Sequence, residues 1–572
     1  MAATSTNVPR TPWARTWTLV GVERQDLLVV VIYSIAIGLL SLALPVATQS
    51  LVNTVAFGTV LQPLVVLSVL VFAALAAAAI LQCMRFWVVE MLQRRVFARL
   101  ANQVGDRLLR VRLEAFDQQN GPELVNRFLD VVTVQKSVAL LLVDGLSLVM
   151  QVAIGMLLLA AYHPYLLVFD VALFVLMGVV LFGLGRGAVR TSISESYAKY
   201  DVLAWLEEIA RHRSAFRSRA ADKYARNRTH TLVGGYLRER SGHFRVLLRQ
   251  FTGTLILQAC AISVLLGIGG WLVIEGQLTL GQLIAAELVV SMIVSSLAKF
   301  SKSLESFYDL QAAMDKLGYL TDLPVERTTG EPMQIPSGPA ALLLRRLTFA
   351  YSGQPELLVA PQIEIPAGAK VAFRGPSGSG KSTLLDLLFA SRNPTSGSLE
   401  LDGIDYREVR LSDLRDQIAL VRDIDVFPGT VLDNVRLSME TDPLAVRQVL
   451  KKIGLSDIVS ALPDGLYTIL STGGAPLSPS QARRLMIARA LLAKPRLLLL
   501  DEVLDHIEDL QIGGPLIQTL FASDVPWTLV LATERDDIWP LCSEVFDLRR
   551  GGVERHSDEI LERAPVHDGG RL

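Results

Sequence analysis

Gly375-Pro376-Ser377-Gly378-Ser379-Gly380-Lys381-Ser382-Thr383 has the residue types and spacing to hold a polyphosphate. The stretch reads G-x-x-x-x-G-K-[ST], where glycines let the backbone wrap phosphates and a helix N-terminus adds partial positive charge. An apolar run, Lys370–Phe373, precedes it and a leucine-rich run, Leu384–Leu388, follows, giving the strand–loop–helix setting the pattern needs. Lys381 would reach the β- and γ-phosphates, and Ser382 would offer its hydroxyl to Mg²⁺. Gly375, Ser377, Gly378, Ser379, Gly380 and Thr383 would complete the cradle.

A second chemical feature lies downstream. Leu497-Leu498-Leu499-Leu500 ends in Asp501-Glu502, as suits a buried parallel strand whose C-terminal end meets a ligand crevice. Asp501 would hold Mg²⁺ and Glu502 would polarise an attacking water. Before it, Ser478 is placed to cap a helix that runs through Ala482–Leu492, with Gln481 in its first turn. Tyr351 sits in a strand-like run upstream of the loop. Its ring would stack on adenine, with a core aromatic as the competing reading.

The elements around these residues fall into two halves. The 572 residues are 51% hydrophobic and only 19% charged, with mean hydropathy +0.39, whereas soluble chains carry about 25% charged residues. The apolar excess lies before about Phe300. Six long apolar segments, at roughly 27–48, 61–82, 138–161, 164–185, 252–274 and 279–299, are each near the ~20 residues that cross a bilayer as a helix. Residues 1–25, with Trp13, Trp17, Arg15 and Arg24, read as an interfacial lead-in. No cleaved leader is expected from the first apolar run, which is too long for one.

Lys and Arg crowd the connections from Arg85 to Lys136 and from Arg186 past Lys223, while the connections near 49–60, 162–163 and 275–278 carry none. The positive-inside rule therefore places the basic connections and both termini in the cytoplasm, in a multi-pass protein of the plasma (inner) membrane. Both basic connections read as helices running on beyond the bilayer, with turns within Phe116–Asp130 and Asp201–Phe216, against the alternative of plain basic loops. Asp144, Asp170 and Glu287 fall in or near apolar spans. Glu287 would line a pathway or make a contact between helices, and the other two would serve equally near the interface. A net charge of −1 argues against nucleic acid as a partner. Cys83, Cys260 and Cys542 have no metal-like or disulfide spacing.

Together, the phosphate loop, Leu477-Ser478-Pro479-Ser480-Gln481 with its basic helix ending Ile487-Ala488-Arg489-Ala490-Leu491, and the Asp501-Glu502 strand end resemble the ATP-binding cassette (ABC) transporters. Leu399–Gly403, Phe427–Val435 and Gly276–Ala285 are similar to that family as well, and the likeness covers about residues 25–550. It implies an α-helical six-span transmembrane domain followed by an α/β P-loop NTPase (ABC) domain. The boundaries would be 1–25, 26–315, a linker at 316–339, a cassette at 340–555 and a polar tail at 556–572. It implies an exporter half-transporter of type I, nearest to the bacterial peptide and type I secretion exporters. ATP and Mg²⁺ would be its cofactors, and its partners the lipid bilayer and a second half-transporter in a homodimer or heterodimer. An apolar pathway suits lipid, peptide and drug substrates alike.

The departures from the family pattern concern hydrolysis. The signature L-S-G-G-Q becomes Leu477-Ser478-Pro479-Ser480-Gln481, and Pro479 has no N–H to give a γ-phosphate, a loss of roughly 1.5–3 kcal/mol for a charge-assisted bond. The glutamine of the Q-loop falls on Arg422 and the switch histidine on Glu534. The D-loop reads Asp505-His506-Ile507-Glu508. The resemblance thus allows an exporter that hydrolyses normally, a degenerate subunit beside a competent partner, or a nucleotide-gated membrane module.

Overall fold

The computed structural model describes residues 11–57, 61–117, 121–334, 336–437, 441–507, 510–549 and 552–555. Residues 1–10 of the lead-in, Glu508 and the polar tail at 556–572 lie outside the described residues. The chain forms two compact units, Met1–Val111 with Ala115–Pro324, and Val325–Leu572 with Arg112–Glu114.

The first unit is helical, and among the described residues six helices are long and apolar enough to cross a membrane. Several extend far past a bilayer. Leu61–Leu108 has 48 residues and Arg219–Ile274 has 56, which at 1.5 Å per residue is about 72 and 84 Å against a ~30 Å hydrocarbon core. The basic connections are therefore helical extensions and not loops. Turns fall where helix chemistry stops. His163 is extended (φ −160°) between a helix ending at Tyr162 and one opening on Pro164, whose fixed φ suits a first helical position. Thr279 and Gln282 form a reciprocal capping box at the start of Leu280–Thr321.

Two sequence boundaries move. The turn expected within 201–216 is shorter, because the helix Ala188–Arg211 continues through Trp205, whose indole donates to Thr229 Oγ1 at 3.0 Å and packs edge-on to Phe216 and Tyr224. The linker expected from 316 begins later, because the last long helix runs to Thr321 with Leu317 and Leu320 fully buried. Asn126 Nδ2 donates to Glu207 Oε1, tying together the two turn regions at the far ends of the helical extensions.

The polar residues of this unit take specific partners. Arg85, grouped with the cytoplasmic basic residues by sequence, is 6% exposed and donates to Ser34 Oγ (3.2 Å) and Ser147 Oγ. Asp144 sits in a π-helical turn, Leu141–Gly145. Asp170 is 1% exposed and neither carboxylate oxygen has a hydrogen-bond partner among the described residues. Glu287 is half-buried. The lead-in helix Pro12–Val22 exposes Trp17 but packs on the last long helix: Arg15 reaches Asp322 Oδ2 at 2.6 Å and Met314 O at 3.2 Å.

The second unit is mixed α/β. Its strands are β1 (Leu342–Ala350), β2 (Glu356–Ala360), β3 (Ile363–Ile365), β4 (Lys370–Arg374), β5 (Ser396–Leu401), β6 (Ile404–Asp405), β7 (Ile418–Val421), β8 (Gly429–Thr430), β9 (Ile469–Leu470), β10 (Leu497–Asp501), β11 (Thr528–Ala532), β12 (Glu544–Arg549) and β13 (Gly552–Arg555). One sheet is antiparallel, in the order β2-β1-β5-β6 with β3 on β1. A second runs β13-β12-β4-β11-β10-β7 and is parallel from β12 to β7, and β8 pairs with β9 in a two-stranded sheet. β10 and β11 are buried along their whole length, as continuous apolar strands covered on both faces should be. Their register, Asp501 opposite Ala532, brings the chain after β10 beside the chain after β11.

The Arg15–Asp322 pair gives a stability test. Arg15 is largely buried and Asp322 about one-third exposed, so the pair contributes about 1–2 kcal/mol after allowing for solvent. Arg15→Ala should lower the melting temperature of the purified protein by roughly 2–4 °C; an unchanged transition would show the lead-in helix is held without it.

Candidate nucleotide site

The phosphate loop leaves β4 and enters the helix Lys381–Leu388. Gly375 is needed there because a Cβ would lie 2.2 Å from Leu548 O, and Gly380 because its φ of +103° is left-handed. Lys381 is 3% exposed, and its Nζ reaches Gly375 O at 2.6 Å, Glu534 Oε1 at 3.0 Å and Glu502 Oε1 at 3.1 Å. Burial works against its charge, but hydrogen bonds and attraction from Glu534 and Glu502 outweigh it and raise its pKa. Glu502 is held at φ +55° while its N–H donates to Ala532 O at 2.9 Å, a left-handed side-chain-bearing residue at the end of a rigid strand. Ser379 is 2% exposed, and its Oγ has no hydrogen-bond partner among the described residues. A buried hydroxyl in that position suits an incoming phosphate oxygen. Ser377 and Gly378 are exposed along the same loop.

The acids at this sheet edge are paired. Ser382 Oγ donates to Asp501 Oδ1 at 3.1 Å, while Arg422 Nε donates to Asp501 Oδ2. Arg422 Nη2 lies 3.0 Å from Asp386 Oδ1 and donates to Ser382 O at 2.9 Å. Desolvation opposes the guanidinium's charge, yet Asp386 and Asp501 together hold its pKa above the ordinary arginine value. Arg392 Nε approaches Asp386 Oδ2 at 3.4 Å, and its guanidinium lies 4.9 Å over the Tyr351 ring. Tyr351 OH and Thr383 Oγ1 are 3.0 Å apart, so the Thr383 hydroxyl is engaged within the protein. Asp505 accepts from Thr533 Oγ1 and, at 2.9 Å, from Glu534 N. Burial raises the Asp505 pKa.

The structure thus brings together Tyr351, Lys381, Ser382, Thr383, Asp501 and Glu502. Ser478 and Gln481 are not joined to them by any hydrogen bond among the described residues. They cap the helix Pro479–Leu492 reciprocally, Ser478 N to Gln481 Oε1 at 2.9 Å and Gln481 N to Ser478 Oγ at 3.3 Å, with Pro479 at the first helical position. Sequence reading missed Asp386, Arg392 and Asp505 as partners within the site. Asp386 carried a usable signal, a lone acid among four leucines, which in a buried helix demands a cation.

A membrane-crossing helical unit and a phosphate-loop α/β unit in one chain define a membrane transporter powered by a nucleotide-binding cassette. The family model for the ABC transporter transmembrane region matches residues 27–297, and that for the ABC transporter matches residues 359–505. The chain belongs to the ABC transporter family and carries both parts of it in one polypeptide, with an ATP-binding cassette. It is 32% identical over 266 residues to the mitochondrial iron-sulfur clusters transporter ATM1 of Candida glabrata, an alignment covering 45% of this chain and 36% of that one. It is 26% identical over 505 residues to the ATP-dependent lipid A-core flippase of Cupriavidus pinatubonensis, covering 84% and 83%. The chain thus spans about a third of the first relative's length and most of the second's. A solved bacterial Atm1-family ABC exporter with ATP bound has the same fold, with TM-score 0.81 at 20% identity over 96% of this chain and 97% of that one.

The Lys381–Glu534 pair must open before a phosphate can take the ammonium. Glu534 is 58% exposed, so the pair is worth at most about 1 kcal/mol. Glu534→Gln should tighten ATP binding by about two- to fivefold in equilibrium binding; weaker binding would show that Glu534 helps to hold nucleotide.

Proposed function

We propose that the chain is one half of an ATP-driven exporter that works as a dimer. The observation that carries this reading is the buried Lys381 ammonium at a helix start, with Glu502 and the Ser379 hydroxyl, unpartnered among the described residues, around it, in a chain whose described residues include six helices fit to cross a membrane. ATP would draw Lys381 from Glu534 onto its β/γ-phosphates, with Ser379 and the backbone N–H groups of Gly378 to Ser382 receiving phosphate oxygens. Glu502 would orient the attacking water. Adenine would stack on Tyr351, on the side that Arg392 does not cover. Ser478 and Gln481 would meet the nucleotide of the second half, so that ATP favours closure of the two cassettes and an outward-facing state of the helices.

Mg²⁺ enters this reading only in part. Ser382 and Asp501 supply oxygen donors of the kind it takes, but Asp501 already carries a guanidinium, so the residues as arranged fit the metal poorly. The distribution of Lys and Arg supports cytoplasmic termini in a plasma membrane. The functional boundaries we infer are a transmembrane domain from about residue 26, a short linker after Thr321 and a cassette from about Ala340 to 555. The names of the relatives range over lipid A-core, iron-sulfur clusters and multidrug transport; they support no single substrate class and lend no weight to peptide export.

A second reading, a slowly hydrolysing subunit beside a competent partner, is kept by one observation, the Arg422–Asp501 pair. ATP turnover of the purified chain alone in lipid nanodiscs, with Glu502→Gln as blank, separates the two. Turnover well above the blank is expected of a self-sufficient homodimer, whereas tight ATP binding at the blank rate would establish the second reading. Lys381→Ala should weaken ATP binding by at least about tenfold, and unchanged affinity would refute the site. The combined Arg422→Gln, Pro479→Gly and Glu534→His variant should raise turnover by about tenfold or more; no gain would mean the altered residues are compensated elsewhere.

A further inference from the structure

We propose that Arg422 is the resident cation of the nucleotide site, so that this cassette takes ATP without a divalent metal. The inference rests on the ATP-binding reading above and deepens it.

The guanidinium touches both residues that would otherwise hold a metal. Its Nε donates to Asp501 Oδ2, and its Nη2 donates at 2.9 Å to the carbonyl of Ser382. The other oxygen of Asp501 accepts the Ser382 hydroxyl at 3.1 Å. The two oxygen donors are therefore spent on each other and on a permanent cation. A dication brought to that carboxylate, whose side chain is nearly fully buried, would meet a like charge across it.

Arg422 is also anchored from behind. Asp386, 6% exposed, lies 3.0 Å from Nη2 and shares its charge between Arg422 and Arg392, and removing one of the two cations from that buried carboxylate would be costly. The remaining arm is free to act. Nη1 makes no hydrogen bond among the described residues, and the side chain is 31% exposed. Nη1, beside the N-terminus of the helix Lys381–Leu388, keeps N–H donors for phosphate oxygens. With Lys381 released by Glu534, the triphosphate would then meet two cations supplied by the protein itself. No covalent step is involved; the proposal concerns charge neutralisation on binding alone.

The test compares ATP affinity of the full-length protein in nanodiscs with excess MgCl₂ and with excess EDTA. For the unaltered chain the two affinities should agree within about threefold, whereas Arg422→Gln should lose at least about tenfold on chelation. A direct readout uses Mn²⁺ as the probe metal. An ATP-dependent, protein-bound Mn²⁺ signal in electron paramagnetic resonance should be absent from the unaltered chain and present in Arg422→Gln. If the glutamine variant fails to fold, Arg422→Lys keeps a charge on Asp501 without the Nη1 donors and should fall between the two. ATP bound by the unaltered chain only with metal, or an equal metal dependence in chain and variant, overturns the proposal while leaving the ATP site standing. No ATP bound in either condition overturns the site and the proposal together.

Discussion

Two carboxylates that cannot be left alone set the geometry of the cassette. Asp386 and Asp501 are 6% and 3% exposed, and an unpaired ionised acid at that depth is too costly to keep. Arg422 answers both at once. It leaves β7 just as β10 ends in Asp501, because the two strands are parallel neighbours with Leu500 opposite Val421. Everything near the phosphate loop is arranged around that three-residue ionic link: the Ser382 hydroxyl turned onto Asp501, the Ser382 carbonyl turned onto Arg422, and Arg392 drawn to the other oxygen of Asp386 and over Tyr351.

The same accounting explains the rest of the sheet edge. Lys381 shares its charge with Glu534 and Glu502, and the segment bearing Glu534 is fixed by Asp505, which accepts its backbone N–H. The departures at the Q-loop and switch positions are thus reciprocal in sign. A cation has been added next to the acid of β10 and an anion next to the lysine of the phosphate loop. Arg422 and Glu534 each have a partner of opposite charge.

The helical unit manages polar burial differently. Arg85 Nη1 donates to two serine hydroxyls while its Nε has no partner among the described residues, and both oxygens of the buried Asp170 are unpartnered among the described residues. Where the backbone must turn between spans, His163 with Pro164, and Thr279 with Gln282, supply stops and caps, so these helix ends are set by local chemistry.

The sequence by itself determined the division into an apolar helical half and an α/β half, because hydrophobic run length and the G-x-x-x-x-G-K-[ST] spacing are local signals. It also pointed to Lys381, Ser382, Asp501 and Glu502 as neighbours, since strand and loop carry their own markers, and the structure brings the four together. The ends of helices were less legible: the helices to Arg211 and Thr321 are prolonged by packing of Trp205, Leu317 and Leu320, contacts between residues distant in sequence. Only the tertiary structure decided which charges meet. That Arg422 reaches Asp501 and Asp386, that Glu534 reaches Lys381, and that Arg85 is buried follow from strand register and helix packing. Spacing along the chain records neither, because an ion pair depends on where side chains end and not on where residues begin.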